Sequence, residues 1–135
     1  MSRANTILFR VDTKRSGARQ RFERCLIIAE THIADGGRVA FALDASGDWA
    51  AEILRAKGLS AIAITAPCGT TEDLEQFTSA LRRHRASSAI VDGPSFSSDY
   101  LAEVAGSSTS AAPSGIVAAI CAAMRVSSPV SARVG

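Results

Sequence analysis

Short apolar runs alternate with segments of helical periodicity along the first hundred residues. The apolar runs are NTILFRV at 5–11, RVAFAL at 38–43, SAIAIT at 60–65 and SAIVD at 88–92, and each indicates a strand. Apolar residues at helical spacing follow them, from about Arg21 to Ile33, from Asp48 to about Gly58, at 71–84 and at about 98–105. Four strands, each followed by a helix, predict an α/β fold of the Rossmann-like type, with helices on both faces of a parallel sheet.

The common strand order of such a sheet, 3-2-1-4, predicts where a ligand binds. In this order the first and fourth strands are neighbours, and ligands bind outside the carboxyl ends of the strands where the strand order reverses. The two segments that leave these strands are the basic loop at 12–20 and DGPSF at 92–96. The sequence therefore predicts a crevice between them.

Composition narrows the class of protein. The chain has 135 residues, of which 47% are hydrophobic and 21% charged, and a net charge of +2, which fits one domain, placed here at 1–105. So small a positive excess, with only one Trp and one Tyr, argues against a nucleic-acid binder. Three scattered cysteines and two histidines predict neither a metal site nor a cofactor. We expect a cytoplasmic protein without an export signal or membrane span.

The last 30 residues differ from the rest of the chain. Residues 106–135 contain no aromatic and no acidic residue, and Ser, Gly and Pro flank a small apolar patch at 116–124. This composition is typical of a low-complexity tail that carries at most one short helix. It is also what a truncated or frame-shifted product would show.

The basic loop is the first candidate for a binding site. Six basic residues fall between positions 10 and 24, against only two acidic ones. One interpretation is an anion site, where these cations act together with the N-terminus of the first helix; the other is a solvated basic loop. The substrate-binding candidates are Asp12, Arg19, Arg21, Arg24, Asp92 and Gly93. Asp12 and Asp92 are equally explained as turn residues, and Arg24 as the partner of one of them in a salt bridge.

The remaining reactive side chains favour structural roles. Cys25 lies on the apolar side of the first helix and is expected to be buried and inert, and Cys68 has no histidine beside it in sequence. His32 and His84 are expected at surfaces or helix ends, and Tyr100 is expected to pack the last helix against the sheet.

Two motifs carry a resemblance to a known family. RVD with RCLIIA and the distant DGPSFSSDY are similar to the N-terminal half of the UDP-sugar hydrolases of the pseudaminic acid pathway, over residues 6 to about 104. The family patterns are approximately R-x-D, then G-x-G-H-x-x-R-C-L-x-L-A, and D-G-Y-x-F-x-x-D-Y. The matching positions are Arg10, Asp12, Arg24, Cys25, Leu26, Ala29, Asp92, Gly93, Phe96, Asp99 and Tyr100.

The resemblance implies half of a two-domain GT-B architecture and a UDP-sugar substrate. In the same register, however, Ala18 and Gln20 replace the two glycines, Arg21 replaces the histidine that the family uses as base or proton shuttle, and Pro94 replaces a tyrosine. A guanidinium stays protonated and cannot replace that histidine. The catalytic residue is therefore unknown, and whether the chain is an enzyme is left open.

Two functions remain as expectations. The first is a UDP-sugar hydrolase-like N-terminal domain that is inactive alone because the facing C-terminal domain is missing. The second is a non-catalytic module that binds an anionic small molecule or a separately encoded C-terminal partner. A homo-oligomer that buries an exposed sheet edge is compatible with either function.

Overall fold

The computed structural model describes residues 5–107, so most of the predicted tail at 106–135 lies outside the described part. The strands are β1 (Thr6–Val11), β2 (Arg38–Leu43), β3 (Ser60–Ala63) and β4 (Ser88–Asp92). The α-helices are α1 (Ala18–Ala34), α2 (Asp48–Ala56), α3 (Thr71–Arg83) and α4 (Ser98–Ser107), and a 3-10 turn at Ala45–Gly47 precedes α2.

The four strands form one parallel sheet in the order β3-β2-β1-β4. In the register, Phe9 of β1 lies opposite Phe41 of β2 on one side and opposite Ile90 of β4 on the other. The α/β class and the 3-2-1-4 order expected from the sequence are therefore confirmed. The chain runs outward from β1 through β2 to β3 and then returns to the other side of β1 to form β4. The carboxyl ends of β1 and β4 are therefore neighbours at the same end of the sheet.

Each face of the sheet has its own apolar core. Successive side chains of a strand point to opposite faces, so Leu8 and Phe9 of β1 belong to different cores. The core that includes α1 and α2 contains Phe9, Val11, Phe22, Cys25, Leu26, Ala29, Phe41, Leu43, Ala50 and Leu54. The core that includes α3 and α4 contains Leu8, Ala40, Ala42, Ile64, Ala66, Phe77, Ala80, Leu81, Ala86, Ala89, Val91, Phe96, Tyr100 and Val104.

Several element boundaries differ from the expected ones, among them those of α1, β3 and α4. Helix α1 begins at Ala18 rather than near Arg21, because Gly17 adopts a left-handed conformation (φ 83°) that turns the chain into the helix early. Strand β3 ends at Ala63 rather than at 65, because the N–H of Thr65 donates to the side chain of Gln76. Helix α4 continues to Ser107, two residues beyond the predicted end.

Between residues 5 and 107, no helix is both long enough and apolar enough to span a bilayer.

Candidate functional site

The loops after β1 and β4 meet as predicted. Val11, the last residue of β1, lies opposite Asp92, the last residue of β4. One step further, the N–H of Asp12 donates to the carbonyl oxygen of Asp92 at 2.9 Å, so the pairing extends into the first loop residue. The side chains of Asp12 and Asp92 therefore both lie at the carboxyl end of the sheet.

Asp12 ties the two loops together. One carboxylate oxygen accepts hydrogen bonds from the Ser95 hydroxyl (2.6 Å) and the Ser95 N–H (3.3 Å). The other accepts from the N–H groups of Lys14 (3.1 Å) and Arg15 (3.2 Å). Burial by itself raises the pKa of Asp12, but these hydrogen bonds and the charge of Arg21 outweigh it, and the pKa is lowered. Asp12 is therefore an ionised structural acceptor and a weak base.

Gly93 permits this close approach of the loops. Its φ is 151°, and a β-carbon built there would lie 2.1 Å from the β-carbon of Asp12. A side chain at position 93 would push the β4 loop away from Asp12. The glycine of the DG pair, predicted as a binding residue, thus has a clear packing role.

Arg21 holds the basic loop from inside. Its guanidinium donates to the carbonyl oxygen of Asp12 through Nε (3.1 Å) and Nη2 (3.0 Å), and to those of Arg15 and Ser16 at 2.8 Å each. Since a guanidinium has five N–H donors, these four hydrogen bonds engage most of them. The side chain is buried. Arg21, predicted as an anion ligand, therefore has its charge directed into the protein's own loop.

Arg24 pairs with Asp92, one of the two partners that the sequence offered. The guanidinium donates to both carboxylate oxygens at 2.7–3.1 Å, in the bidentate geometry that is the strongest for this pair. The Asp92 side chain is fully buried, whereas that of Arg24 is 46% exposed. One edge of the guanidinium is therefore fixed while part of the side chain faces solvent.

The two described thiols lie near these charges without being activated. Burial raises the pKa of Cys25, and Asp92, whose carboxylate accepts a hydrogen bond from its Sγ at 3.6 Å, raises it further. Burial also raises the pKa of Cys68, to about 12, although the nearby Arg10 acts against it. Since a thiolate is the reactive form, both are poor nucleophiles near neutral pH, as the sequence indicated for Cys25.

Three cations remain exposed around the start of α1: Lys14, Arg15 and Arg19. None of them forms an ion pair within residues 5–107. The Arg19 guanidinium lies 4.9 Å from the centre of the Trp49 ring, a cation–π contact between α1 and α2. The N-cap residue of α1 is Gly17, which has no side chain to cap the helix. Of the predicted binding residues, Arg19 is thus the one whose charge is both exposed and outside any ion pair in this region.

Sequence reasoning missed a buried polar network next to the carboxyl ends of the strands. Arg10 and Asp73 form an ion pair in which both side chains are fully buried, with Nε–Oδ1 and Nη2–Oδ2 distances of 2.9 and 3.1 Å. Asp73 also accepts from the Tyr100 hydroxyl (3.0 Å) and the Gly69 N–H (2.6 Å). Tyr100 therefore adds a hydrogen bond to the packing role that was predicted. The available signal was Arg10 itself, a charge within an apolar strand, which needs a buried partner.

The network also reaches the ends of β1 and β2. Arg10 Nη1 donates to the carbonyl oxygens of Val11 and Ala42, both at 3.3 Å, and its guanidinium lies 5.5 Å from the centre of the Phe96 ring. Burial lowers the pKa of Arg10, but the hydrogen bond and charge of Asp73 more than compensate, and the net shift is upward. A buried charged group thus fixes the carboxyl ends of β1 and β2 relative to each other.

The loop also differs from the resembled motif in its backbone. Ala18 and Gln20 occupy the two glycine positions of the family pattern, and both lie in the first turn of α1, where glycine has no conformational advantage. Gly17 supplies the left-handed residue instead. No three His, Cys, Asp or Glu side chains between residues 5 and 107 converge into a group that would hold a metal ion. Among the described residues, the loops after β1 and β4 thus carry exposed cations and buried carboxylates, and neither loop contains a histidine.

Comparison with known proteins identifies a structural neighbour. The chain superposes on a glycosyltransferase from Rickettsia africae ESF-5 with a TM-score of 0.58 and 13% sequence identity, over 73% of this chain and 27% of that protein. The fold is glycosyltransferase-like. At this identity the likeness concerns the fold alone, and the chain spans about a quarter of the neighbour's length. No protein-family profile matches the sequence, and no curated protein is significantly similar to it.

Proposed function

We propose that this chain is a nucleotide-sugar-binding domain, the counterpart of an N-terminal half of a UDP-sugar hydrolase, and that it does not turn over substrate by itself. The ligand is a UDP-sugar or a related anionic small molecule. It occupies the crevice between the β1 and β4 loops, with its negative charge next to the start of α1. The finer assignment to the pseudaminic acid pathway rests on the resemblance of the RVD, RCLIIA and DGPSFSSDY motifs.

The observation that carries this proposal is that the loops after β1 and β4 are adjacent and are bordered by exposed cations, here called the cationic rim. Asp12, Ser95 and Asp92 fix the two loops relative to each other. The cations Lys14, Arg15 and Arg19 lie outside ion pairs of the described region, next to the start of a helix whose N-cap residue is a glycine. Fixed loops and unneutralised charge are what binding of a phosphate-bearing ligand needs, because little has to reorganise when the anion arrives. The glycosyltransferase-like fold supports the same class of ligand.

The described groups argue against hydrolysis by the chain alone. Hydrolysis at the sugar needs a general base that is deprotonated, accessible and able to take a proton. Asp12 has a lowered pKa and four hydrogen-bond donors, and Asp92 is bound to Arg24. Arg21, at the position of the family histidine, cannot accept a proton. We therefore expect binding without measurable release of UDP.

Titration of the full chain with UDP, a UDP-sugar and inorganic phosphate tests the proposal. Trp49, which is the sole tryptophan and contacts Arg19, provides an intrinsic fluorescence signal next to the rim. We expect saturable quenching or enhancement by the UDP-sugar, weakened several-fold by Arg19→Ala and by added salt. The matched control is Arg82→Ala, which removes an exposed arginine from the last turn of α3 and is expected to leave the affinity unchanged. Absence of binding by calorimetry at millimolar ligand would refute the proposal.

The same titration distinguishes a nucleotide-sugar-binding domain from the second candidate, a general anion-binding module. If inorganic phosphate binds as tightly as the UDP-sugar, the chain recognises charge alone and the nucleotide-sugar assignment is wrong. Rebuilding the family motif with Ala18→Gly, Gln20→Gly and Arg21→His is expected to give no turnover, because the histidine would also remove the four hydrogen bonds that hold the loop. Substantial UDP release by the unmodified chain would contradict our assignment of the site.

A further inference from the structure

The β3 edge of the sheet is open in the described part of the chain. Strand β3 pairs with β2 on one side, and no strand between residues 5 and 107 pairs with it on the other. Its residues Ser60, Ala61 and Ala63 are exposed, whereas three of the five residues of β4, at the opposite edge, are buried. Natural edge strands are commonly protected by a charge, a proline or a bulge, and the sequence SAIA has neither a charge nor a proline.

The direction of the backbone groups defines the open length of this edge. The N–H of Ile64 donates to the carbonyl oxygen of Leu43, so residue 64 faces β2. Successive residues of a strand direct their N–H and C=O groups to alternate sides. The N–H and C=O groups of Ala61 and Ala63 therefore point away from β2. The next outward N–H, that of Thr65, is already taken by Gln76 Oε1 at 2.8 Å. The available edge is thus one short segment centred on Ile62.

A groove runs beside this segment, between β3 and α3. It is lined by Ile62, Ala63, Glu75, Gln76, Ser79 and Arg83. On α3, Glu75, Ser79 and Arg83 are four residues apart and form one stripe. A negative charge lies at one end of this stripe, a positive charge at the other and a small side chain at the centre. Neither Glu75 nor Arg83 forms an ion pair within the described residues.

We propose that the β3 edge is the interface with a second copy of this chain, paired antiparallel about a two-fold axis at Ile62. Ala61 of each copy lies opposite Ala63 of the other, and the two pairs exchange four backbone hydrogen bonds. The two Ile62 side chains meet on the α3 face. The same rotation reverses α3, so Glu75 of one copy faces Arg83 of the other across the groove.

The symmetry of the charges identifies the partner. A two-fold interface requires a surface that is complementary to itself, so that residue i meets residue j and j meets i. The stripe has this property, because Ser79 lies midway between Glu75 and Arg83. An unrelated acidic or basic peptide would find only one of the two charges favourable. The pairing closes after two copies and leaves both crevices at the carboxyl ends of their sheets, so it is independent of the proposed ligand.

Sedimentation equilibrium of the full chain over about 5 to 500 µM tests the interface, since a small edge-to-edge contact is expected to give a micromolar dimer. Replacing Ala61 and Ala63 by lysine places like charges opposite each other across the axis and is expected to give a monomer. Ser60→Lys and Thr65→Lys, which flank the hydrogen-bonded pairs, form the matched control for added charge. We expect this control to weaken dimerisation less.

A charge exchange separates the interface from a general loss of stability. Glu75→Arg alone and Arg83→Glu alone each place like charges across the groove and should weaken the dimer several-fold, whereas the double variant restores it. Circular dichroism should show the same fold for all variants. A wild-type chain that stays monomeric at the highest concentration overturns the proposal. So does a dimer that is indifferent to the Ala61 and Ala63 lysines, or a double variant that does not recover.

Discussion

Replacing Arg10 by methionine removes the charge at the centre of the buried network while keeping an unbranched side chain of similar reach. In the native protein, Asp73 receives two hydrogen bonds from Arg10, one from Tyr100 and one from Gly69. In the variant it keeps only the last two, in a site from which water is excluded. The carboxylate must then stay charged without its counter-ion, or take up a proton.

The expected loss of stability is large. Breaking one partner of a fully buried ion pair costs about 3–5 kcal/mol, because the remaining charge is left uncompensated. For a domain of about a hundred residues, each 1 kcal/mol lowers the melting temperature by roughly 4–8 °C. A shift of at least about 12 °C therefore follows for Arg10→Met. Asp73→Asn keeps one acceptor oxygen, for Tyr100 or for Gly69 but not for both, and leaves Arg10 without its buried counter-ion, so its loss is expected to fall in the same range.

Urea denaturation of the two single variants and of the double variant, followed by circular dichroism, measures these values. Because the double variant removes both charges of the fully buried pair, its loss should be smaller than the sum of the two single losses by at least about 2 kcal/mol. Asp44, which lies 3.6 Å from Arg10 and is 10% exposed, loses this contact in the double variant and in Arg10→Met alike. Arg55→Met removes the solvent-exposed pair with Glu52 and is the matched control, with an expected loss below about 1 kcal/mol. If Arg10→Met costs no more than this control, the network does not have the buried geometry described here.

Two further predictions concern the crevice. Gly93→Ala should destabilise the protein by more than about 3 kcal/mol, because the new β-carbon would collide with Asp12 at an unfavourable φ. Gly58→Ala (φ 74°, open space) should cost only about 1–2 kcal/mol in the same denaturation assay, and equal losses would contradict the clash. The lowered pKa of Asp12 stabilises the folded state above the ordinary value of 3.8, and this contribution is lost as the pH falls below that value. Asp12→Asn should therefore flatten the acid limb of the stability curve, and an unchanged limb would exclude Asp12 as its source.

Periodicity alone predicted the architecture because every strand is short, apolar and separated from the next by a helix. Strands β2 and β4 have the predicted bounds, since DGG before Arg38 and DGP after Val91 interrupt the apolar runs. The order 3-2-1-4 followed from the common topology of such sheets rather than from any contact seen in the sequence. The strand pairing confirms this order, and the two central strands, β1 and β2, each contribute side chains to the cores on both faces.

The polar contacts were less predictable because they join residues far apart in the chain. Arg10 and Asp73 are 63 residues apart, and Asp73 looks in sequence like an ordinary acidic residue of a helix start. The role of Arg21 depends on carbonyl oxygens, which a sequence pattern does not show. Arg24 was restricted to two partners by the predicted strand exits, and the structure selected Asp92.

The six basic residues of the opening segment divide into two groups with different consequences for function. Arg10 and Arg24 are neutralised by Asp73 and Asp92, and Arg21 is bound by backbone carbonyl oxygens. Lys14, Arg15 and Arg19 are exposed. An anion that binds as proposed therefore meets about three cations rather than six, and its binding should weaken with salt accordingly. Because the buried arginines shape the loop that presents the exposed ones, Arg21→His alters the fold of the site before it supplies any base.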